Sequence, residues 1–424
     1  MSPADSEAPA GSDGPDGPTG AGAGAGPGLS VSAADAAEDR YSRLRLIGWW
    51  DQRRLAASRV VVVGAGALGN EILKNLALVG VGRIAVIDMD HVEITNLSRS
   101  VLFRASDAGE YKAEAAARAV RGMNPDCRCL AVVANAAYDV GLGLFRWADL
   151  IIGGLDNREA RLAVNRAAWQ AGRPWIDGAI ERLQGTARVF APPDGPCYEC
   201  TMGPADWEML ERRRSCALLR RDEMAEGKVP TTPTASSIIA GVQCQEALKL
   251  LHGLPAMAGR GFVYDGQNHD SYMVGYQVKE DCLSHDSFAP VEETPWSART
   301  ATVGEVLAAA RARLGPEAVV DLRADVVAAL DCPHCGRHEA VFRSAGSMTE
   351  KDGLCPGCSQ PRTPTFLHSF TGAEGADDRT LAEAGVPPFD VVVARNGLDR
   401  VFWELTADAP EALGELYEEG GSRG

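Results

Sequence analysis

Short apolar runs alternate with amphipathic stretches along the first two thirds of this chain. The β-branched run at 59–63 leads through a glycine-rich loop into a helical stretch at 70–79 and a second apolar run at 84–87. A strand–loop–helix–strand unit of roughly thirty residues is typical of a doubly wound parallel sheet. Further helices and strands are predicted at 112–121, 150–152, 158–171, 175–176, 186–190 and 236–251. The pattern therefore predicts an α/β, Rossmann-like fold.

The pattern weakens toward both ends of the chain. Residues 1–34 are rich in Gly, Pro, Ala and Asp and lack the apolar centre of a signal peptide, so they are predicted to be a disordered leader. An amphipathic helix is predicted at 41–59. We interpret 35–289 as one domain, 290–298 as a proline-bounded linker and 299–424 as a smaller second domain.

Charge and composition argue against two classes of binding partner, nucleic acids and membranes. A net charge of −16 argues against a general nucleic-acid or anionic-membrane binder, because both need a basic surface. No apolar run approaches the roughly eighteen residues of a membrane-spanning helix. We therefore expect a cytoplasmic protein that binds neither nucleic acid nor membrane. In a reducing compartment, C-x-x-C pairs are more often metal ligands than disulfides.

The glycine loop carries the first candidate site. Gly64, Gly66 and Gly69 form a G-x-G-x-x-G pattern between the first strand and its helix, which directs backbone N–H groups toward phosphates. Asp88 follows the second strand, where a carboxylate can accept hydrogen bonds from a ribose. These features alone fit a nicotinamide-dependent oxidoreductase as well as an enzyme that uses ATP.

Motifs downstream of the loop favour ATP. The run IDMDHVEITNLSR at 87–99 stands among RYSR (40–43), GEYK (109–112), GLDN (154–157), IDG (176–178), GTARV (185–189) and PCYEC (196–200). Together, over roughly residues 40–285, these motifs resemble the ThiF/MoeB/HesA superfamily and the activating enzymes of ubiquitin-like modifiers. The resemblance implies a ThiF-type adenylation domain.

The resemblance also assigns roles to charged residues. Attack of a carboxylate on the α-phosphate of ATP brings two anions together, so cations must neutralise the developing charge. By resemblance, Arg99 and Lys112 hold the triphosphate, and Arg43 reaches it from the neighbouring subunit of a homodimer. Asp156 would hold Mg²⁺, the carboxylate after the second strand would hold the ribose, and Asn96 would lie beside the nucleotide.

Two cysteine clusters have the spacing of zinc sites. Cys197 and Cys200 match the family's zinc knuckle, which Cys282 and His285 would complete as a Cys₃His site. Independently of the family, a C-x₂-C-x₁₉-C-x₂-C pattern within 332–358 has zinc-ribbon spacing. Its ligands would be Cys332, Cys335, Cys355 and Cys358. The ribbon either staples a small domain or docks a partner, and the staple is favoured.

Cys216 is the candidate nucleophile. It falls in a segment that the family uses as a loop crossing over the adenylate, and five arginines within 212–221 would stabilise its thiolate. The alternative is a small apolar side chain beside a solvated basic face.

Three functions stay open at this point. The favoured one is activation of a ubiquitin-like protein that ends in Gly-Gly, with a thioester on Cys216 and transfer to a conjugating enzyme. The second is an adenylyltransferase for a thiamine- or molybdopterin-type sulfur carrier, which passes the adenylate to a sulfur donor without a thioester. The third is a non-catalytic nucleotide-binding scaffold. The expected cofactors are ATP, Mg²⁺ and Zn²⁺.

Overall fold

The predicted alternation of strands and helices is present in the computed structural model, which describes residues 38–215 and 230–418. The first part of the chain contains α1 (Gln52–Ala57), β1 (Arg59–Val63), α2 (Ala67–Val79), β2 (Arg83–Ile87), α3 (Lys112–Met123), β3 (Arg128–Val132), α4 (Leu142–Trp147), β4 (Leu150–Gly153), α5 (Arg158–Ala171), β5 (Trp175–Glu181), β6 (Gln184–Phe190), α6 (Pro204–Ser215), α7 (Pro233–His252), β7 (Arg260–Asp265) and β8 (Asp270–Gly275). The second part contains β9 (Val291–Thr294), α8 (Val303–Leu314), β10 (Val319–Asp331), β11 (His338–Ser344), α9 (Glu350–Gly353), β12 (Thr363–Phe370), β13 (Val391–Asn396), β14 (Asp399–Leu405) and α10 (Ala409–Leu413).

The first sheet has eight strands in the order β3-β2-β1-β4-β5-β6-β7-β8. The strands from β3 to β5 are parallel, and β6, β7 and β8 continue the sheet in antiparallel pairing. Val60–Val63 of β1 are fully buried, because helices cover both faces of the parallel part. The chain changes direction across the sheet between β1 and β4, and ligands bind at the carboxyl ends of the strands at such a point. The predicted Rossmann-like class is confirmed.

The stretch predicted as one helix at 41–59 has a different structure. A 3₁₀ turn at Leu44–Leu46 is separated from α1 by a second turn, in which the N–H of Trp50 donates to the carbonyl of Ile47 at 2.9 Å. Asp51 starts α1 by accepting hydrogen bonds from the N–H groups of Arg53 (2.9 Å) and Arg54 (3.4 Å). Asp is a strong N-cap, so the single-helix prediction is corrected to a turn followed by a short capped helix.

The second sheet has six strands. Its main order is β11-β10-β13-β14-β9, and β12 pairs with β10. Strand β9 lies within 290–298, the segment that the sequence suggested to be a linker, and pairs in parallel with β14. Pro290 and Pro295 bound the strand and explain the linker interpretation, because proline removes a backbone donor but leaves the residues between free to pair at a sheet edge.

The two parts of the chain share a hydrophobic core. Phe145 and Trp147 of α4 belong to the same buried cluster as Phe389, Val391 and Leu413 of the second part. The backbone comes equally close, since the N–H of Gly143 donates to the carbonyl of Phe389 at 2.8 Å. Across residues 38–215 and 230–418, no helix combines the length and apolar character needed to cross a membrane.

Substitution at this shared core should cost stability. Phe389→Ala removes a fully buried aromatic ring, so the free energy of unfolding should fall by about 3–5 kcal/mol in denaturant titrations. The matched control is Leu398→Ala, because Leu398 is 99% exposed, and its unfolding curve should overlay that of the wild type. Equal stability of the two variants would contradict a shared core at Phe389.

Candidate nucleotide site and metal centres

The three glycines of the loop differ in the space around their Cβ positions. Gly64 has a left-handed backbone (φ +94°), and a Cβ added there would lie 2.6 Å from the carbonyl oxygen of Gly154. A Cβ on Gly69 would lie 1.9 Å from the carbonyl oxygen of Gly64. Gly66, which caps α2, faces open space instead, with nothing within 4 Å of its Cβ position. The open end of α2 is therefore where a phosphate can approach backbone N–H groups.

Asn70 holds this loop in place, and the sequence reasoning missed it. The side chain is fully buried, and its amide donates to the carbonyls of Ala65 (2.7 Å) and Gly66 (3.1 Å). Its carbonyl oxygen accepts the N–H of Leu102 at 2.8 Å, which ties the loop to the segment after Arg99. A lone amide in an otherwise apolar first turn was the available signal.

Asp88 lies where it was predicted, immediately after β2. Its two carboxylate oxygens accept the N–H groups of Ala65 (2.7 Å) and Asp90 (2.8 Å). Burial raises the pKa of Asp88, while the ammonium of Lys112 opposes that rise. Each oxygen keeps a second lone pair, so the carboxylate can still accept a hydrogen bond from a ribose hydroxyl.

Lys112 is the first residue of α3, and its side chain is only 14% exposed. Its ammonium lies 2.8 Å from the carboxylate of Asp90. Burial alone would lower the pKa of Lys112, but the carboxylates of Asp88, Asp90 and Asp156 outweigh burial and raise it. The structure thus brings together carboxylates from two strand ends around one ammonium that stays charged, as a phosphate contact requires.

Asp156 follows β4 and is exposed. Asn157 donates to the carboxylate of Asp156 at 3.1 Å and caps α5 by accepting the N–H of Ala160 at 2.8 Å. Arg161 of α5 also fixes this loop, because its guanidinium donates to the carbonyl of Leu155 at 2.5 Å. An exposed oxygen ligand on a fixed loop is suited to a hard cation such as Mg²⁺.

Three further residues were predicted to lie at the nucleotide, and each has its own local contacts. Arg99 is partly exposed, and its guanidinium makes one side-chain hydrogen bond within the described chain, to the carbonyl of Thr95 (2.9 Å). Asn96 is buried and accepts the N–H of Glu93 at 3.0 Å, so it caps a 3₁₀ turn. Arg43 is exposed beside the opening turn, and its side chain makes no hydrogen bond or ion pair with residues 38–215 or 230–418.

A buried ion network underlies the IDG and GTARV motifs, to which the sequence assigned no role. Asp177 is fully buried and accepts hydrogen bonds from Arg161 (3.1 Å) and Arg188 (3.0 Å). Burial alone would lower the pKa of Arg188, but Asp177 outweighs it and raises that pKa. Two guanidinium groups share one carboxylate, so this network leaves one excess positive charge beneath the Gly154–Asn157 loop.

The first cysteine cluster gathers as predicted. The ligand atoms of Cys197, Cys200, Cys282 and His285 all lie within 4.8 Å of one another. The Sγ atoms of Cys197 and Cys282 are 3.4 Å apart. This distance is close to the roughly 3.8 Å between two sulfurs that bind one tetrahedral zinc ion with Zn–S bonds of roughly 2.3 Å. His285 stacks on Trp169 with ring centroids 4.7 Å apart, and burial lowers its pKa. The imidazole is therefore neutral, the form that binds metal.

The second cluster also gathers, between β10 and β12. Its four Sγ atoms lie within 4.8 Å of one another, with Cys332–Cys358 and Cys335–Cys355 each at 3.5 Å. Each pair sits in a tight turn, where Cys332 N–H donates to the carbonyl of Arg337 and Cys355 N–H donates to that of Gln360. Both clusters thus have the ligand number, type and spacing of a structural zinc site.

Comparison with known proteins assigns the family. A sequence model of the ThiF family matches residues 39–283, more than half of the chain. The chain belongs to the ThiF family. The predicted ThiF/MoeB/HesA resemblance is therefore confirmed, and residues after 283 lie outside the match.

Several relatives align with the ThiF domain. The chain is 35% identical over 265 residues to a SAMP-activating enzyme E1 of Haloferax volcanii, covering 60% of this chain and 90% of that protein. It is 35% identical over 242 residues to a sulfur carrier protein adenylyltransferase of Thermus thermophilus, covering 54% and 83%. A crystal structure of E. coli MccB with ATP aligns with a TM-score of 0.50 and 21% identity, covering 60% of this chain and 75% of that chain, which shows a common fold.

Of the remaining cysteines of the ThiF domain, one lies outside the described residues and three are buried. Cys216, the predicted nucleophile, lies outside the described residues. Cys244 on α7 is buried, and burial raises its pKa to about 12. Burial likewise raises the pKa of Cys127 to about 11. Both thiols stay protonated at neutral pH, so neither is a candidate nucleophile.

Metal analysis should resolve the two clusters separately. We expect two zinc ions per purified chain, and one after either Cys282→Ser or Cys332→Ser, because each variant removes a ligand from one cluster. Elemental analysis of the dialysed protein measures this. Cys244→Ala, outside both clusters, should keep both ions. Unchanged zinc in the ligand variants would contradict the assignment.

Proposed function

We propose that the chain uses ATP to adenylate the C-terminal carboxylate of a ubiquitin-like or sulfur-carrier protein that ends in Gly-Gly. The observation that carries the proposal is the half-enclosed ammonium of Lys112, which lies 2.8 Å from the Asp90 carboxylate at the carboxyl edge of the sheet. Two relatives support it by name, one as an activating enzyme E1 and one as a sulfur carrier protein adenylyltransferase.

In the proposed reaction, a carboxylate oxygen of the partner attacks the α-phosphorus of ATP. The bond from that phosphorus to the bridging oxygen breaks, and pyrophosphate leaves with the electron pair. Lys112 and Arg99 neutralise the charge that develops, and the backbone at Gly66 binds phosphate oxygens. Asp88 holds the ribose, and Asn96 keeps the turn before Arg99 in shape.

A magnesium ion fits the exposed carboxylate of Asp156, an oxygen ligand of the kind that Mg²⁺ prefers. When bound, it would share the negative charge of the phosphates. The chain's own part is to present this carboxylate, which Asn157 orients by a 3.1 Å hydrogen bond.

Arg43 fits a role between subunits. Its side chain has no hydrogen-bond partner within the described ranges, and Leu46, Ile47 and Trp49 next to it are exposed. An exposed apolar segment of this kind suits contact with a second copy. In the proposed homodimer, Arg43 crosses to the neighbouring triphosphate.

Two fates of the adenylate are proposed. In the first, the thiolate of Cys216 attacks the acyl carbon, AMP leaves, and the thioester passes to a conjugating enzyme. In the second, the adenylate reacts with a sulfur donor. The names of two relatives favour this fate: the Thermus thermophilus protein, and mouse MOCS3, an adenylyltransferase and sulfurtransferase 37% identical over 232 residues. A cytoplasmic location suits both, since none of the ten described cysteines forms a disulfide.

Lys112→Ala should reduce ATP–pyrophosphate exchange about 10²–10³-fold, as loss of one preorganised charge contact does in other active sites. The measurement is exchange of labelled pyrophosphate with saturating magnesium, ATP and partner protein. The control is Arg53→Ala, because the Arg53 side chain is 95% exposed and lies on α1. Exchange at the wild-type rate in Lys112→Ala would overturn the role of this ammonium. Tight ATP binding without exchange in the wild type would favour a scaffold.

Non-reducing gels separate the two fates. After incubation with magnesium, ATP and a Gly-Gly-ended partner, wild type should form an adduct that reductant removes, and Cys216→Ala should form none. Both proteins should keep pyrophosphate exchange, because the thiol acts after adenylation. Exchange without an adduct in the wild type would support the sulfur-carrier fate and exclude the thioester.

A further inference from the structure

The loop from 133 to 141 joins the nucleotide site to the second part of the chain. It begins where β3 ends, and the carbonyl of Val132 accepts the N–H of Asp88 at 3.2 Å. Its first residues therefore lie beside the carboxylate assigned to the ribose. The loop ends at α4, the helix that packs into the shared core.

The second part holds the far end of this loop with buried polar groups. The guanidinium of Arg323 donates to the carbonyl of Val140 at 2.5 Å and to the carboxylate of Asp390 at 3.0 Å. Asp390 in turn accepts the N–H of Leu142 at 2.7 Å. The side chains of Arg323 and Asp390 are 9% and 5% exposed, so this clamp is shielded from water and salt.

Tyr138, in the middle of the loop, touches both parts. Its ring lies against Gly346, where an added Cβ would fall 2.0 Å from the ring. Gly346 is buried in the 3₁₀ turn Ala345–Ser347, which directly follows β11 of the cysteine-cluster hairpin. The hydroxyl of Tyr138 donates to the carboxylate of Glu159 at 2.5 Å. Glu159 belongs to the first turn of α5.

The first turn of α5 is continuous with the loop that carries Asp156. Asn157 caps α5 and donates to the Asp156 carboxylate, so movement of that turn moves the carboxylate. We propose that Tyr138 is a positioning residue through which the cysteine-cluster part of the chain holds the Asp156 loop in the nucleotide site. The inference rests on the proposed function and gives the second part a task in nucleotide binding.

The decisive variant is Tyr138→Phe, which keeps the ring on Gly346 and removes only the hydroxyl. The dissociation constant of magnesium–ATP and its KM in pyrophosphate exchange should both rise about three- to tenfold, the range that loss of one typical intramolecular hydrogen bond predicts. The kcat and the thermal midpoint should stay at wild-type values, because the chemistry and the packing are unchanged.

Three further variants separate positioning from folding. Gly346→Leu should displace the ring and raise the same two constants, and its combination with Tyr138→Phe should add little, because both break one connection. Glu159→Gln keeps an acceptor for the Tyr138 hydroxyl, so the affinity of this variant for magnesium–ATP should stay nearly that of the wild type. Gly275→Ala, on the edge strand β8, is the control, since nothing lies within 4 Å of its Cβ position.

Wild-type ATP affinity in Tyr138→Phe would overturn the inference. So would a loss confined to Gly346→Leu with a lowered thermal midpoint, since that result indicates packing alone. Calorimetric binding of magnesium–ATP needs no partner protein, so it tests the positioning role even where exchange is absent. Absence of exchange in a wild type that binds ATP would remove the proposed function only, whereas absence of ATP binding would remove both.

Discussion

Three backbone segments meet at the carboxyl edge of the first sheet without room for one more carbon atom. A Cβ on Gly69 would lie 1.9 Å from the carbonyl of Gly64, and one on Gly154 would lie 2.7 Å from the N–H nitrogen of Gly69. This contact sets the start of α2 against the ends of β1 and β4. It therefore determines where a phosphate can meet the helix N-terminus, beside the Ala65 N–H that Asp88 accepts. Asn70 makes the arrangement rigid by bonding the loop to the segment after Arg99.

The charged groups of the site come from different elements. Asp88 comes from the end of β2, Lys112 from the start of α3, and Asp156 from the loop after β4. Because all three lie at one edge of the sheet, the attraction of the carboxylates for the ammonium keeps Lys112 charged in spite of burial. The buried network around Asp177 adds an excess positive charge below the same loop. Positive charge from Lys112 and from this network is thus in place before any nucleotide binds.

The second part of the chain is joined to the first by packing as well as by sequence. Phe389 lies against the glycines that begin α4, and the Arg323–Asp390 clamp ends beside the same helix. The first cysteine cluster works within the ThiF domain, where Cys197 and Cys282 meet across 85 residues of chain. A metal there would close a long loop, and the second cluster would close the hairpin that supports Tyr138. The first cluster thus contacts α5 at Trp169, and the part of the chain that carries the second reaches the first turn of α5 through Tyr138 and Glu159.

The sequence by itself determined the wound sheet, the glycine loop and the C-x-x-C pairs, while the family resemblance added Cys282 and His285 to the first cluster. Each depends on spacing along the chain: β-branched runs for strands, G-x-G-x-x-G for a turn, and C-x-x-C for two ligands of one ion. Only the tertiary structure decided the role of Asn70, the pairing of β9 with β14, and the contact of Tyr138 with Gly346. These depend on which distant segments become neighbours. Local patterns of polar and apolar residues carry no record of such neighbours, because the partner lies beyond the range of any helix or strand period.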